Sequence, residues 1–132
     1  MDSTQIGQAG EYLAAAVLQR HFSAIASPDK PSAYDLIVET KDNFFLRCQV
    51  KTSDSISSIN GSNYWSFHTH KSSGMYTHDD CDFFAFVVLR KRTVVFAKPE
   101  NIKSSVYRIR LDEATLEKEA TTLKQTLGEW LL

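Results

Sequence analysis

Four side chains in the first half of the chain, Glu11, Asp35, Gln49 and Lys51, are of the types that metal-assisted phosphate chemistry requires. Carboxylates and an amide carbonyl are hard oxygen donors suited to Mg²⁺, which favours near-octahedral oxygen coordination and keeps several waters. A cation held by them would sit against phosphate, polarise the phosphoryl group and lower the pKa of an attacking water. Lysine, a compact point charge, suits the task of orienting that water or steadying pentacoordinate phosphorus.

The elements around these residues decide whether they meet. Tyr34 to Thr40 and Asn43 to Thr52 are β-like runs rich in Val, Ile, Phe and Tyr, joined through Lys41, Asp42 and Asn43, and predict a β-hairpin. Side chains alternate along a strand, so Arg47, Gln49 and Lys51 share one face while Leu46, Cys48 and Val50 point the other way. Asp35 then approaches Gln49 and Lys51 from the adjacent strand. A helix is expected from about Gly7 to Phe22, with Ala14, Leu18 and Phe22 on one stripe. Glu11 falls on that same stripe, where a carboxylate needs a cation, a donor or a metal nearby. Gly7 and Gly10 remove bulk where the helix could approach a sheet or a ligand.

Further along, Ser27 to Ser32 is a loop and the Ser-rich stretch Thr52 to Ser62 reads as a loop or irregular excursion. Strands are expected at Asn63 to His70, Phe83 to Arg90 and Thr93 to Lys98, with a short one around Val106 to Leu111. Phe83 to Arg90 is apolar enough to lie centrally. A final helix over 112–131 is expected to open on Asp112 as its cap. Leu116, Ala120, Leu123, Leu127 and Trp130 form an apolar seam on it, facing either the domain's own core or a second subunit. The order describes one α/β domain over 1–132, a mixed β-sheet flanked by helices.

The pattern Gly10-Glu11, then Tyr34-Asp35-Leu36-Ile37-Val38, then Arg47-Cys48-Gln49-Val50-Lys51-Thr52 resembles the PD-(D/E)XK nuclease superfamily. More narrowly it is similar to the branch of group I intron-encoded homing endonucleases, in which Gln replaces the usual acidic residue before x-Lys. The resemblance spans roughly residues 5 to 90. It implies a restriction-endonuclease-like core and an active site of Glu11, Asp35, Gln49 and Lys51, with the Val50 carbonyl as an extra metal ligand. The implied cofactor is Mg²⁺, with Mn²⁺ able to substitute. Gln49 leaves one fewer negative charge for holding the metal than the commoner signature.

Bulk properties narrow the alternatives. With 132 residues, 42% hydrophobic and 23% charged, the chain can bury a core and is not disordered by composition. No apolar run approaches the ~20 residues of a membrane span, and the N-terminus lacks the basic start of a signal peptide. Together with only two, widely separated cysteines, Cys48 and Cys81, this suggests a cytoplasmic protein, nucleoid-associated when bound to DNA. A net charge of −1 argues against indiscriminate coating of nucleic acid. The charge is nevertheless uneven: residues 90–110 carry 7 basic and 1 acidic side chains.

Lys71, His70, Arg90, Arg92 and Arg108 are the DNA-binding candidates. His68, His70, His78, Asp79, Asp80 and Cys81 lack the paired spacing of a structural zinc site and are expected to border the cleft or the surface. The cysteines read as small buried apolar residues, and Tyr64, Trp65, Phe67 and Tyr76 as core before base-stacking. The partner expected is double-stranded or branched DNA, cleaved by a dimer or tetramer. The alternatives are a structure-specific Holliday-junction resolvase and an inactive nuclease fold that binds DNA or protein.

Overall fold

The computed structural model describes residues 1–71 and 73–132. Helix α1 (Ser3–Gln19) begins earlier than the alanine run suggests, because a reciprocal cap precedes it. The Gln5 N–H donates to Asp2 Oδ1 and the Asp2 N–H to Gln5 Oε1, each at 2.9 Å. Two orphan donors of the first turn are thereby satisfied. The helix stops at Gln19, short of Phe22, although Phe22 is still buried.

The strands in chain order are β1 (Ala24–Ala26), β2 (Leu36–Glu39), β3 (Phe45–Ser53), β4 (Ile56–Ile59), β5 (Ser62–His68), β6 (His70–Lys71), β7 (Gly74–Met75), β8 (Phe83–Val88), β9 (Thr93–Ala97) and β10 (Val106–Arg110). Five of them form a mixed sheet in the order β1-β2-β3-β8-β9. Among the described residues only β3 and β8 pair in parallel, from Cys48 opposite Phe83 to Ser53 opposite Val88. The predicted hairpin is present, with β2 antiparallel to β3 and Leu36 opposite Cys48. Every residue of β8 is buried, as its unbroken apolar run requires of a strand covered on both faces.

A second antiparallel sheet, ordered β10-β5-β4, covers one face of the first. It contains the main correction to the sequence reading. The Ser-rich stretch expected as loop holds β4, turned into β5 by Asn60 and Gly61, both at positive φ (52° and 81°). Asn-Gly with two left-handed residues suits a tight hairpin turn. Serine content masked the strand because this sheet carries one solvent-facing side.

Two cores result. On the helical face Ala14, Leu18, Phe22, Val38, Cys48, Val50, Phe83 and Ala85 pack together. On the other, Trp65, Phe67, Phe84, Phe86, Val88 and Ile109 fill the space under the small sheet. Helix α2 (Leu116–Leu127) is shorter than the predicted 112–131 and is capped by Thr115, whose hydroxyl accepts from the Lys118 N–H at 3.1 Å. Asp112 lies instead in a 3₁₀ turn ahead of it. The seam divides: Leu123 and Leu127 are buried, while Leu116 is 69% exposed. Helix α2 also seals the outer strand of the main sheet, since the Val94 N–H donates to Glu119 Oε1 at 2.8 Å and the Phe96 N–H to Thr122 Oγ1 at 3.0 Å. No helix among the described residues is long and apolar enough to cross a membrane.

Helix α1 crosses β3 at Gly10. A Cβ there would fall 1.8 Å from Thr52 Oγ1, so only glycine permits this approach. Gly10→Ala is expected to cost about 1–3 kcal/mol through overpacking. Thermal unfolding checks it, and a second change, Thr52→Ala, should recover part of the loss.

Candidate active site

Strand β3 carries Gln49 and Lys51 two residues apart, on the face away from helix α1. Asp35 stands just before β2 and extends its ladder, its N–H donating to the Cys48 carbonyl at 2.8 Å. Its Oδ2 accepts from the Val50 N–H, also at 2.8 Å. That bond fixes the carboxylate across from the Gln49-Val50-Lys51 run. Glu11 arrives from helix α1, one residue beyond the tight crossing at Gly10. All four side chains, with Val50, line one cleft of about 620 Å³. Its opposite wall includes Ser66 and His68 of β5, with Arg90 at the rim.

The electrostatics of the cleft favour a cation. Burial raises the Asp35 carboxyl above its ordinary range, against the lowering effects of the Val50 N–H and of Lys51. Glu11 is raised by burial and then by the negative charge of Asp35. Positive charge beside them would favour the ionised form of both carboxyls. The available donors fit a hard divalent ion: two carboxylates, the Gln49 amide oxygen and the Val50 carbonyl, all oxygen. Among the described residues no three His, Cys, Asp or Glu side chains converge on one point, so any such ion must take neutral oxygens. Gln49 is buried, and its Nε2 donates to the Val50 carbonyl at 3.3 Å.

Lys51 has a partner that sequence spacing did not reveal. Its Nζ donates to the Tyr76 hydroxyl at 3.2 Å and lies 4.9 Å from the centre of the Tyr76 ring. The ring is itself held edge-on by Phe84 at 5.3 Å. Twenty-five residues of intervening chain left Tyr76 readable only as a generic aromatic. Arg47, on the same face as Lys51, is committed elsewhere: its backbone N–H and Nε donate to Asp82 Oδ2 at 2.7 and 3.2 Å.

The other predicted residues are scattered. Arg90 lies 3.6 Å from Asp54 Oδ1 at the cleft rim. Lys71 is ion-paired to Asp80, which holds that carboxyl below its usual range. His70 is exposed on β6, Arg92 closes the turn between β8 and β9 at φ 52°, and Arg108 is exposed on β10. The histidine-rich segment is dispersed, with His78 paired to Glu100 at 3.2 Å. Both cysteines are buried and unbridged, and burial pushes the Cys81 thiol up to about 12, which suits packing and not nucleophilic attack.

A mixed sheet flanked by helices, with a carboxylate at the start of the hairpin, Gln-x-Lys on its second strand and a glutamate on the crossing helix, is the arrangement of a nuclease fold with a candidate site. The chain belongs to the PD-(D/E)XK endonuclease family, whose sequence model matches residues 1–127. Among solved structures it is similar to a bacterial homing endonuclease, I-Ssp6803I, with a TM-score of 0.65 and 18% identity over 83% of this chain and 75% of that one. No curated protein sequence matches.

Proposed function

We propose that the chain is a metal-dependent endonuclease that hydrolyses phosphodiester bonds at a defined site in duplex DNA. The observation that carries this reading is the single cleft in which Glu11, Asp35, Gln49 and Lys51 meet. Glu11, Asp35, Gln49 Oε1 and the Val50 carbonyl would hold Mg²⁺, or Mn²⁺ in its place. Bound there, the ion would polarise the scissile phosphoryl group and ease deprotonation of the attacking water. The protein's own tasks follow from its geometry. Asp35 is pre-oriented by the Val50 N–H, so one oxygen is committed to the backbone and the other is free for the cleft. Gln49 must turn its NH₂ group away from the Val50 carbonyl before both oxygens can serve one ion. Lys51 supplies an ammonium to the attacking water or to the charge growing on the phosphoryl oxygens. The similarity to I-Ssp6803I supports a duplex site as substrate, whereas a junction resolvase would use the same cleft on branched DNA.

Cutting both strands of a duplex calls for two copies related by symmetry, and the exposed part of the α2 seam, Leu116 and Ala120, offers them a contact. Light scattering with and without DNA should find a dimer or tetramer. The function itself is tested by incubating the protein with supercoiled plasmid, linear duplex and four-way junctions, in Mg²⁺ and in a chelator. Nicking or linearisation only with metal is the expected result. Preference for junctions over every duplex would shift the assignment to a resolvase, and binding without cleavage would leave a nuclease fold used only to bind.

Tyr76 enters this scheme as a positioning residue for Lys51. Tyr76→Phe keeps the ring under the ammonium and its contact with Phe84 but removes the acceptor. It is expected to lower kcat about tenfold with little change in KM or melting temperature. In a Lys51→Met background the same change should have no further effect, which single-turnover cleavage can show.

A further inference from the structure

We propose that the outward face of the β10-β5-β4 sheet is the surface along which a DNA duplex lies as it enters the cleft; this deepens the endonuclease reading and rests on it. Alternation sorts the residues of the sheet cleanly. Trp65, Phe67 and Ile109 are buried against the main sheet. Tyr64, Ser66 and His68 of β5 point outward, beside Arg108 and Arg110 of β10, in a register that sets Arg108 opposite Ser66 and Arg110 opposite Tyr64. Ser57 of β4 joins them, its hydroxyl 2.5 Å from that of Ser66.

Three features of this face point to a polyanion that can follow a groove. First, Arg108 and Arg110 are exposed and, among the described residues, neither has a carboxylate within ion-pair distance. The strands β4, β5 and β10 contain no acidic residue at all, in a chain whose net charge is −1. The positive charge is therefore local and uncompensated, and free guanidinium groups present forked donors suited to phosphate oxygens. Second, most of the remaining outward groups are polar, the hydroxyls of Ser57 and Ser66, the His68 imidazole and the Tyr64 phenol, which can donate to phosphates or base edges, while the apolar Val106 and Ile59 lie toward the ends of the face. Third, the face runs directly into the active site, since Ser66 and His68 are also part of the cleft wall. A strand pair of this kind has the width to enter a major groove. An acidic protein would satisfy the charge alone, but it would not require the charged face to continue into a carboxylate-bearing cleft.

The test uses the full-length protein with a fluorescent 30-base-pair duplex in Ca²⁺, at several KCl concentrations, so that binding is read without cleavage. Arg108→Ala/Arg110→Ala should weaken duplex binding about 10- to 100-fold and reduce the slope of log affinity against log salt by about 2. A control of equal charge change at exposed sites remote from the face, Lys30→Ala/Lys41→Ala, should stay within about twofold of wild type. As a second measurement, Arg108→Cys can carry a photo-crosslinker selectively, both native cysteines being buried. It should crosslink to the duplex in competition with unlabelled DNA. Equal losses in the two double variants, or no crosslink from position 108, would overturn the proposal. So would tighter binding of an acidic polypeptide than of duplex at the same salt. If duplex binding depends on Arg108 and Arg110 while plasmid survives intact in Mg²⁺, the surface stands and the catalytic reading alone fails.

Discussion

Lys51→Ala is expected to reduce metal-dependent cleavage by about 10²–10³-fold while the affinity for duplex in Ca²⁺ hardly changes. The reason lies in where the ammonium sits. It is held by one hydroxyl and one aromatic face, on the same strand face as Gln49 and in the cleft where water would attack phosphorus. A group that meets charge only as it develops in the transition state contributes to kcat and little to substrate binding. Lys51→Arg should not restore the rate, because a planar fork is too broad for a seat shaped by Tyr76. Cleavage by Lys51→Ala at near wild-type rate would remove lysine from the chemistry. Parallel loss of binding and cleavage would make it a DNA contact instead.

Asp35→Asn is expected to abolish detectable cleavage, a loss of at least about 10²-fold, and yet to leave the metal-free protein as stable as the parent at neutral pH or more so. The asparagine Oδ1 can still accept from the Val50 N–H, so the local fold keeps its tie. What it loses is a charge that burial disfavours. Because burial raises the Asp35 carboxyl in the folded state, the native protein holds that proton more tightly than the unfolded chain does. Its contribution to stability therefore grows as pH falls through the window between the raised folded value and the ordinary one, and is a net cost above it. Glu11 is shifted in the same direction. Melting temperatures against pH should show wild type gaining on Asp35→Asn as the solution is made acidic. Cleavage by wild type should fall in that same acid window, starting at higher pH than for an unperturbed carboxylate, because protonated donors release the metal. Added Mg²⁺ or Mn²⁺ should raise the melting point of wild type and not of Asp35→Asn. A fully active Asn variant would dissolve the assignment.

The candidate site was readable to the extent that its parts obey local rules. The two-residue period of β3 put Gln49 and Lys51 on one face, and the short hairpin connection brought Asp35 alongside. Glu11 stood out because a carboxylate on a buried stripe needs a reason. His68 was expected to border the cleft or the surface and lines the cleft, but Tyr76 and Ser66 did not stand out, since their closeness depends on how the second sheet folds back over the first, which no period in the sequence encodes. Strand β4 was missed because residues such as Ser57 and Ser58 read as loop when one side of a strand faces water. The first helix began early because Asp2 and Gln5 cap each other, a pairing of two polar residues that hydrophobic periodicity cannot register. Asp112 looked a fit cap for the last helix, but Thr115 takes that place after a 3₁₀ turn.

The stitching of Glu119 and Thr122 to the backbone of β9 limits how copies of this chain can assemble. With those amides occupied at one margin of the main sheet and only the three residues of β1 at the other, neither margin readily accepts another molecule's strand. Growth into a continuous intermolecular ribbon is thereby discouraged. At these two margins partners must meet through side chains, leaving contacts there adjustable by substitution without disturbing the strand pairing of the main sheet.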